Sequence, residues 1–579
     1  MIIFVIMNYL DGLNESQRIA VENFEGPTMV IAGAGSGKTR VLTMRIAYMI
    51  DQGIDPFNIL ALTFTNKAAK EMTERIGSII GAGEAKNITM GTFHSVFSRI
   101  LRINADRLGY PQNFTIYDTQ DTKSLLKDIV KELNLDDKIY KPSMIYGRIS
   151  AAKNNLLSAD DYLQNPEIMD EDKQSQRPEL GRIYKAYSVR CFKAGAMDFD
   201  DLLYQTNVLL RDFPDVLSYY QHKFKYILVD EYQDTNYAQY LIVKKLAAVY
   251  ENICVVGDDA QSIYSFRGAN IQNILNFRND YPDYKLYKLE QNYRSTQTIV
   301  DAANSVISKN KDQIKKSVWT NNDKGNLIRV IRAMTDNEEG KIIANKIFDV
   351  KHQESGDWTD FAILYRTNRQ SRAFEEALRK MNIPYKIYGG LSFYQRKEIK
   401  DLLAYFRLAA NQKDEEALKR VINYPKRGIG KTSWENIIIA ANQYGVAIWD
   451  VISEFSKYPV SIPGTTKQKI SEFVIMVQSF TAQLNSQNAY QLAQTIAKSS
   501  GILKELYSEK DKGPEEVERY QNIEELLAAI KEFTVQRGED DPATLADFMI
   551  DVALLTDADN EKEEDKNKIS LMTIHSSKG

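Results

Sequence analysis

Cysteine and histidine are nearly missing from this chain. It has 579 residues but only 2 cysteines, Cys191 and Cys254, and 4 histidines, His94, His222, His352 and His575. Each cysteine sits among apolar or aromatic neighbours, and the histidines are scattered. That excludes a disulfide framework and a zinc site of ordinary ligand spacing, and points to a reducing, cytoplasmic compartment. Long apolar runs are missing as well. Ile2 to Ile6, in MIIFVIMNYL, is too short to span a bilayer. It also lacks the basic leader and small-residue cleavage site of a signal peptide. It reads as an extension, with Met7 as a second candidate start, and no membrane partner is expected. Nor is there an excess of positive charge, since Lys and Arg number 74 against 78 Asp and Glu. A protein coated in basic surface is excluded, but a basic groove inside an acidic molecule is not. Internal repeats and low-complexity tracts are absent too.

What is present looks like an ordinary globular protein, 43% hydrophobic and 26% charged. At roughly 150 residues per domain the length suggests about four domains.

The most informative stretch is MVIAGAGSGKT, residues 29 to 39. Met29 to Ile31 reads as a buried parallel strand. Ala32, Gly33, Ala34, Gly35, Ser36, Gly37, Lys38 and Thr39 follow the P-loop pattern, with Ala32 where the strict form has glycine. From Arg40 onward, RVLTMRIAYMI suits a buried helix. Such a glycine-rich turn aims backbone N–H groups at phosphate oxygens. Lys38 would sit on the β- and γ-phosphates of ATP, and Thr39 would offer a hydroxyl to Mg²⁺. A P-loop needs an acidic partner at a strand end, and YILVDEYQDTN supplies the best-placed one. There Asp230 would hold Mg²⁺, and Glu231 would take a proton from the attacking water.

Other strand ends carry further candidates. LNESQRIAV forms a short helix capped by Asn14 or Ser16, whose Gln17 has the amide for adenine N6 and N7. ILALTFTNKAAK places Phe64 after a strand, suited either to stacking on a base or to core packing. ITMGTFHS ends a third strand at His94. In MDFDDLL the aspartates read as a helix start with Asp198 capping, in preference to a metal site. Behind the strand ICVVG, Gln261 is placed to sense a γ-phosphate. Tyr264, Phe266 and Arg267 offer two rings and a cation to single-stranded nucleic acid. LEQNYRS ends another strand at Tyr293 and Arg294. Residues 113–193 are charged and helical, without obvious buried parallel strands. A second α/β set has strands at Leu327 to Ile331 and Phe361 to Tyr365, helices from about Asn337 and Gln370, and a Gly-Gly turn after Tyr385. Helices fill Gln395 to about Asn560. EKEEDKNK reads as a solvated linker before a returning strand, ISLMTI.

The ordered series AGAGSGKT, TFTNKAAKEM, GTFHS, DFDDLL, VDEYQDT, VVGDDAQSIYSFRGA, LEQNYRST, LYRTNRQSR and TIHSSKG resembles the superfamily 1A DNA helicases of the PcrA/UvrD/Rep group. The resemblance covers essentially the whole chain. It implies an α/β fold of two RecA-like P-loop motor domains, parallel sheets flanked by helices, each with an inserted helical subdomain. Motor domain 1A would hold 1–113 and 191–290, and insertion 1B would hold 114–190. Motor domain 2A would hold 291–396 and 566–579, and insertion 2B would hold 397–565. The implied activity is 3′-to-5′ translocation on single-stranded DNA driven by ATP and Mg²⁺. Duplex would be separated at a single-strand/double-strand junction, in repair or replication. By resemblance, Gln17 reads adenine and Tyr293 stacks on it, while Gln261 and Arg294 meet the γ-phosphate. Phe64, His94, Phe199, Tyr264, Phe266, Arg267, Arg366, Asn368, His575 and Lys578 fall on the DNA track. KRGIGKTS resembles a duplex-contacting loop. Two departures stand out. Phe266 replaces a frequent Trp, and the family continues past TIHSSKG with an arginine motif that completes the ATP site. The second departure makes an ATP-binding, hydrolysis-deficient DNA-binding fragment the alternative expectation.

Overall fold

A computed structural model describes residues 9–265, 268–311, 313–388, 393–509, 514–536, 543–554 and 567–578. Contacts divide the chain into two compact units. The first holds Met1–Phe97, Asn207–Gly390 and Thr556–Gly579, and the second holds Ser98–Thr206 and Leu391–Leu555. Strands are numbered in chain order as β1 Thr28–Ala32, β2 Ile59–Thr63, β3 Thr89–Thr92, β4 Thr115–Tyr117, β5 Ala196–Asp198, β6 Tyr226–Val229, β7 Ile253–Gly257, β8 Lys285–Leu289, β9 Ala362–Tyr365, β10 Tyr385–Ile387 and β11 Ile569–Thr573.

In the first unit, six strands form a parallel sheet of order β3-β2-β6-β7-β1-β8. β1, β2, β6 and β7 are buried along their whole length. Their sequences are near-continuous apolar runs because helices cover both faces of such a sheet. Val30, Ala61, Leu228 and Val256 of these strands pack with Val41, Leu42 and Ile46 of the helix Lys38–Asp51. Because all six strands are parallel, the turns after β1, β6, β7 and β8 leave the same edge of the sheet. That edge is where α/β sheets bind ligands.

A second sheet in this unit is also parallel, of order β10-β11-β9. Ile363, Tyr365, Ile569 and Leu571 pack there with Ala344 and Ile347 of the helix Asp336–Glu354 and Phe374 and Leu378 of the helix Ser371–Lys380. The strand expected at Leu327 to Ile331 does not form. Leu327 and Val330 are 76% and 95% exposed. No strand among the described residues lies beside this stretch to take its ladder bonds, so its backbone groups face solvent. The expected Gly-Gly turn at 389–390 lies outside the described residues, as does most of the 561–568 linker.

The second unit is helical around a two-stranded parallel sheet of β4 and β5. β4 corrects the expectation of no parallel strand in 113–193, since three residues give too short a run to read. The aspartates of MDFDDLL do cap the helix Phe199–Asp212. Asp198 Oδ1 accepts from Asp201 N at 2.8 Å, and Asp201 Oδ2 accepts from Asp198 N at 3.1 Å. Buried Lys153 neutralises them, with Nζ 2.7 Å from Asp198 and 2.8 Å from Asp201. Residues expected in separate helical insertions share this unit. Arg407 pairs with Asp121 at 2.8 Å, Lys400 with Asp118 at 2.7 Å and Arg190 with Glu415 at 2.7 Å. Asn411 Nδ2 donates to Thr115 Oγ1 at 3.0 Å and to the Ala194 carbonyl at 2.9 Å.

Candidate active site and nucleic-acid track

β1 ends in Ala32, whose methyl is fully buried. The position needs no positive φ, so alanine serves where the strict motif has glycine. Gly35 and Gly37 do need their freedom, at φ +68° and +88°. A Cβ on Gly35 would also lie 2.7 Å from Asn292 Nδ2 and 2.8 Å from Arg294 Cβ. The loop's carbonyls are taken up from outside. Asn292 Nδ2 donates to Ala34 O at 2.6 Å, Tyr293 N to Gly35 O at 3.0 Å and Gln17 Nε2 to Ser36 O at 2.9 Å. Ser36 Oγ turns inward to Gly33 O at 2.7 Å. Lys38 opens the following helix, with Thr39 partly buried and Arg40 exposed beside it.

Gln17 is 2% exposed, within a helix capped by Asn14. Its Oε1 accepts from Asn14 N at 3.1 Å. One Nε2 hydrogen and one Oε1 lone pair remain, the set that a bidentate adenine contact uses. Asn14 Nδ2 also donates to the Tyr293 hydroxyl at 2.8 Å, so one side chain ties the two expected base contacts together. The Tyr293 ring stays 48% exposed.

The acidic pair closes β6. Asp230 is 3% exposed, and Glu231 turns into the left-handed region at φ 48°. Lys38 Nζ lies 3.4 Å from Glu231 Oε1. Burial, then the neighbouring Glu231 charge, pushes the Asp230 carboxyl up to about 7, with Lys38 pulling the other way. Gln233, fully buried, donates from Nε2 to Glu231 Oε2 at 2.6 Å.

After β7, Gln261 sits in a short 3-10 turn, Asp259–Gln261. Its Nε2 donates to Asp258 Oδ2 at 2.8 Å. Lys316 pairs with Asp258 at 2.9 Å and with Asp259 at 2.5 Å. Lys578, expected on the DNA track, donates to Asp234 Oδ2 and to the Gln261 carbonyl. Its cation also lies 5.1 Å above the Tyr264 ring. Burial raises the Asp234 carboxyl to about 6 while Lys578 opposes the shift. The Tyr264 hydroxyl donates to His575 O at 2.8 Å. TIHSSKG and the segment after β7 are thereby fastened together. Arg294 is exposed on the loop that Asn292 organises, with Asn292 Oδ1 accepting from Arg294 N and Ser295 N at 2.8 Å each.

Of the other expected DNA-track residues, Phe64 is partly buried, its ring 5.7 Å from Phe93. Burial lowers the His94 imidazole to about 4, so it is neutral at physiological pH. Arg366 and Asn368 are exposed after β9. Phe199 opens its helix in the second unit. Phe266 and Arg267 lie outside the described residues. In KRGIGKTS, Gly428 takes φ +72°, and Asn423 Oδ1 accepts from Arg427 N at 3.0 Å and Ile429 N at 3.1 Å. The Arg427 guanidinium turns inward, donating to Val421 O at 2.8 Å and to the Tyr405 hydroxyl at 2.6 Å. It braces the turn and leaves Gly430 and Lys431 to open the next helix. Sequence reasoning passed over Asn14 as more than a cap, and over Gln233, Asp258, Asn292 and Lys316 altogether. Gln233 and Asn292 sit inside motifs already singled out, which was the available signal.

A P-loop and an acidic strand end, gathered with Gln261 on one edge of a parallel sheet, define a protein of the P-loop nucleotide-binding class. Residues 13–282 match the UvrD/REP helicase N-terminal domain and residues 287–579 match the UvrD-like helicase C-terminal domain. The chain belongs to the UvrD/Rep helicase family. It is 44% identical over 572 residues to the ATP-dependent DNA helicase PcrA of Staphylococcus aureus (strain Mu50 / ATCC 700699), covering 98% of this chain and 76% of that protein. The ATP-dependent DNA helicase PcrA of Staphylococcus epidermidis (strain ATCC 12228 / FDA PCI 1200) is likewise 44% identical, over 570 residues and the same shares. Among the described residues, no helix is long and apolar enough to cross a membrane.

Proposed function

We propose that this chain is an ATP-dependent DNA helicase that moves 3′-to-5′ on single-stranded DNA and separates duplex at the junction ahead of it, in repair or replication. The observation that carries the reading is the meeting of Lys38 and Glu231, 3.4 Å apart, at the mouth of a P-loop. The P-loop N–H groups and Lys38 hold the β- and γ-phosphates of ATP. Gln17 and Tyr293 hold the adenine from its edge and its face. Glu231 takes the proton of the attacking water. Gln261 and Arg294 meet the γ-phosphate, and Gln261 lies on the segment leading to Tyr264. Tyr264, His575, Phe64 and His94 contribute rings and a neutral imidazole to the DNA track, where stacking tolerates any base.

The residues fit Mg²⁺. Asp230 is a buried carboxylate whose ionisation burial opposes, and Thr39 adds a hydroxyl, the hard oxygen donors this ion takes. The ion, when bound, neutralises charge across the β- and γ-phosphates. Asp230 and Thr39 would hold it.

The test is ATPase rate with and without single-stranded DNA, together with strand separation on duplexes bearing a 3′ or a 5′ tail. Single-stranded DNA should stimulate hydrolysis, and only the 3′-tailed duplex should open. Glu231→Gln should bind nucleotide and DNA but hydrolyse only at a residual rate that single-turnover measurement can follow. Unchanged turnover in that variant would overturn the assignment of the base.

A further inference from the structure

Gln233 lies between the two parts of the site that must act together. It follows the acidic pair by two residues, in a 3-10 turn, Tyr232–Asp234, and is fully buried. Both ends of its amide are committed. Nε2 donates to Glu231 Oε2 at 2.6 Å, and Oε1 accepts from Asp258 N at 3.0 Å. The Asp258 N–H can only donate and an ionised Glu231 can only accept, so the amide has one workable orientation. It rests on Gly257, where a Cβ would lie 2.6 Å from Gln233 Oε1, so β7 must end in glycine for this contact to exist. The Gln233 carbonyl accepts from Ser262 Oγ at 3.3 Å.

Asp258 is the hub of the adjoining turn. Its carbonyl accepts from Gln261 N at 2.9 Å, its Oδ2 from Gln261 Nε2 at 2.8 Å and its Oδ1 from Ala260 N at 3.1 Å. Lys316 closes the same carboxylate at 2.9 Å. When the Gln261 amide leaves Asp258 for a phosphate, this turn loses one of its ties. Asp258 N is the point at which that change reaches Gln233.

We infer that Gln233 is a positioning residue for hydrolysis, holding Glu231 in the orientation set by the turn that carries Gln261, so that Gln261 engagement is transmitted to Glu231. This rests on Glu231 being the base, as proposed above. Losing an interaction made only in the transition state lowers kcat and leaves KM unchanged. The expected signature is therefore a kcat effect.

The experiment measures kcat and KM for ATP in the presence of single-stranded DNA, with single-turnover rates for slow variants. Gln233→Ala should lower kcat at least about tenfold, as small misplacements of a reacting group do, with KM within about twofold. In a Glu231→Gln background, Gln233→Ala should cost nothing more, because there is no base left to orient. Gln233→Glu keeps the size but has no amide hydrogen to donate to an ionised Glu231, so kcat should fall as for Gln233→Ala, again with KM within about twofold. If the alanine variant fails to fold, the near-isosteric glutamate variant carries the test. The inference is overturned by unchanged kcat in Gln233→Ala or in Gln233→Glu, or by an equal loss in the Glu231→Gln background. Wild-type turnover in Glu231→Gln alone would instead overturn the base assignment, a result visible separately.

Discussion

Asp230→Asn should stabilise the nucleotide-free protein while removing its capacity to hold Mg²⁺. The carboxyl of Asp230 titrates near 3.8 when solvated and is raised to about 7 in the fold, first by burial and then by the Glu231 charge. Below pH 4 it is protonated in both folded and unfolded states and contributes nothing. Between 4 and 7 the folded state keeps the proton that the unfolded state has lost, so stability falls as pH rises. Above 7 both states are ionised and the full penalty persists. A shift of about three units at 1.36 kcal/mol each bounds the penalty at about 4 kcal/mol. Relaxation around buried charges reduces such figures, so a gain of about 1–3 kcal/mol is expected for the asparagine variant at pH 8. Asparagine keeps a carbonyl oxygen for the Glu231 N–H that Asp230 Oδ1 accepts at 2.9 Å. The assay is urea unfolding of both proteins without nucleotide at pH 4, 6 and 8. The difference should be near zero at pH 4, intermediate at 6 and largest at 8. A variant that is no more stable at pH 8, or equally stabilised at pH 4, would refute the reasoning.

Lys38→Ala should abolish ATP turnover, read by steady-state phosphate release. Asn292→Ala strips the Ala34 carbonyl and the Arg294 and Ser295 N–H groups of their shared partner, which loosens the P-loop. Affinity for a fluorescent ADP analogue should fall about tenfold or more. Tyr264→Ala should weaken single-stranded DNA binding by about 1–3 kcal/mol with little sequence preference, while Tyr264→Phe, which keeps the ring, retains most of it. Fluorescence anisotropy at two salt concentrations checks both, and affinity should drop steeply with salt. In the second unit, Arg407→Met leaves Asp121 and Asp414 without the guanidinium that each meets within 2.8 Å. Removing one partner of a buried pair costs about 3–5 kcal/mol, measurable as earlier hydrogen exchange in the helices Thr119–Glu132 and Lys397–Ala410.

The first unit was largely legible in the sequence because its strands are buried on both faces. MVIA, ILAL, YILV and ICVVG are apolar runs that end in polar motifs, and each became a parallel strand with its motif at the same edge. β4 was not legible, since Thr115–Tyr117 is three residues long and takes its identity from Ala196–Asp198, some eighty positions away. Leu327 to Ile331 misled for the opposite reason. Its residues suit a strand, but strand formation depends on a neighbour. The ion pairs of the second unit join residues such as Asp121 and Arg407 whose separation in sequence carries no trace of contact. The motif of Lys578 points to DNA, and only the placement of Asp234 and the Gln261 carbonyl around its ammonium shows that it also fastens protein to protein.

The nucleotide site shows why motif reading finds the residues that face a ligand and misses those behind them. A P-loop is a short run of backbone whose N–H groups must converge on phosphate, which turns its carbonyls outward. Buried carbonyls without partners are costly, so the loop's shape depends on outside donors. Here three successive carbonyls, of Ala34, Gly35 and Ser36, receive Asn292, the Tyr293 N–H and Gln17. Those donors come from the helix before β1 and the loop after β8, the same segments that carry the candidate adenine contacts and Arg294. On the proposed reading, adenine at Gln17 and phosphate at the loop would touch opposite ends of one hydrogen-bonded frame. The Arg294 N–H hangs from the frame through the Asn292 side-chain oxygen, Oδ1. A change that loosens Asn292 must disturb phosphate binding and the placement of Arg294 together. In a double-mutant cycle, Asn292→Ala and Arg294→Ala should accordingly be non-additive in kcat/KM for ATP. Strict additivity would mean that the frame is packing alone.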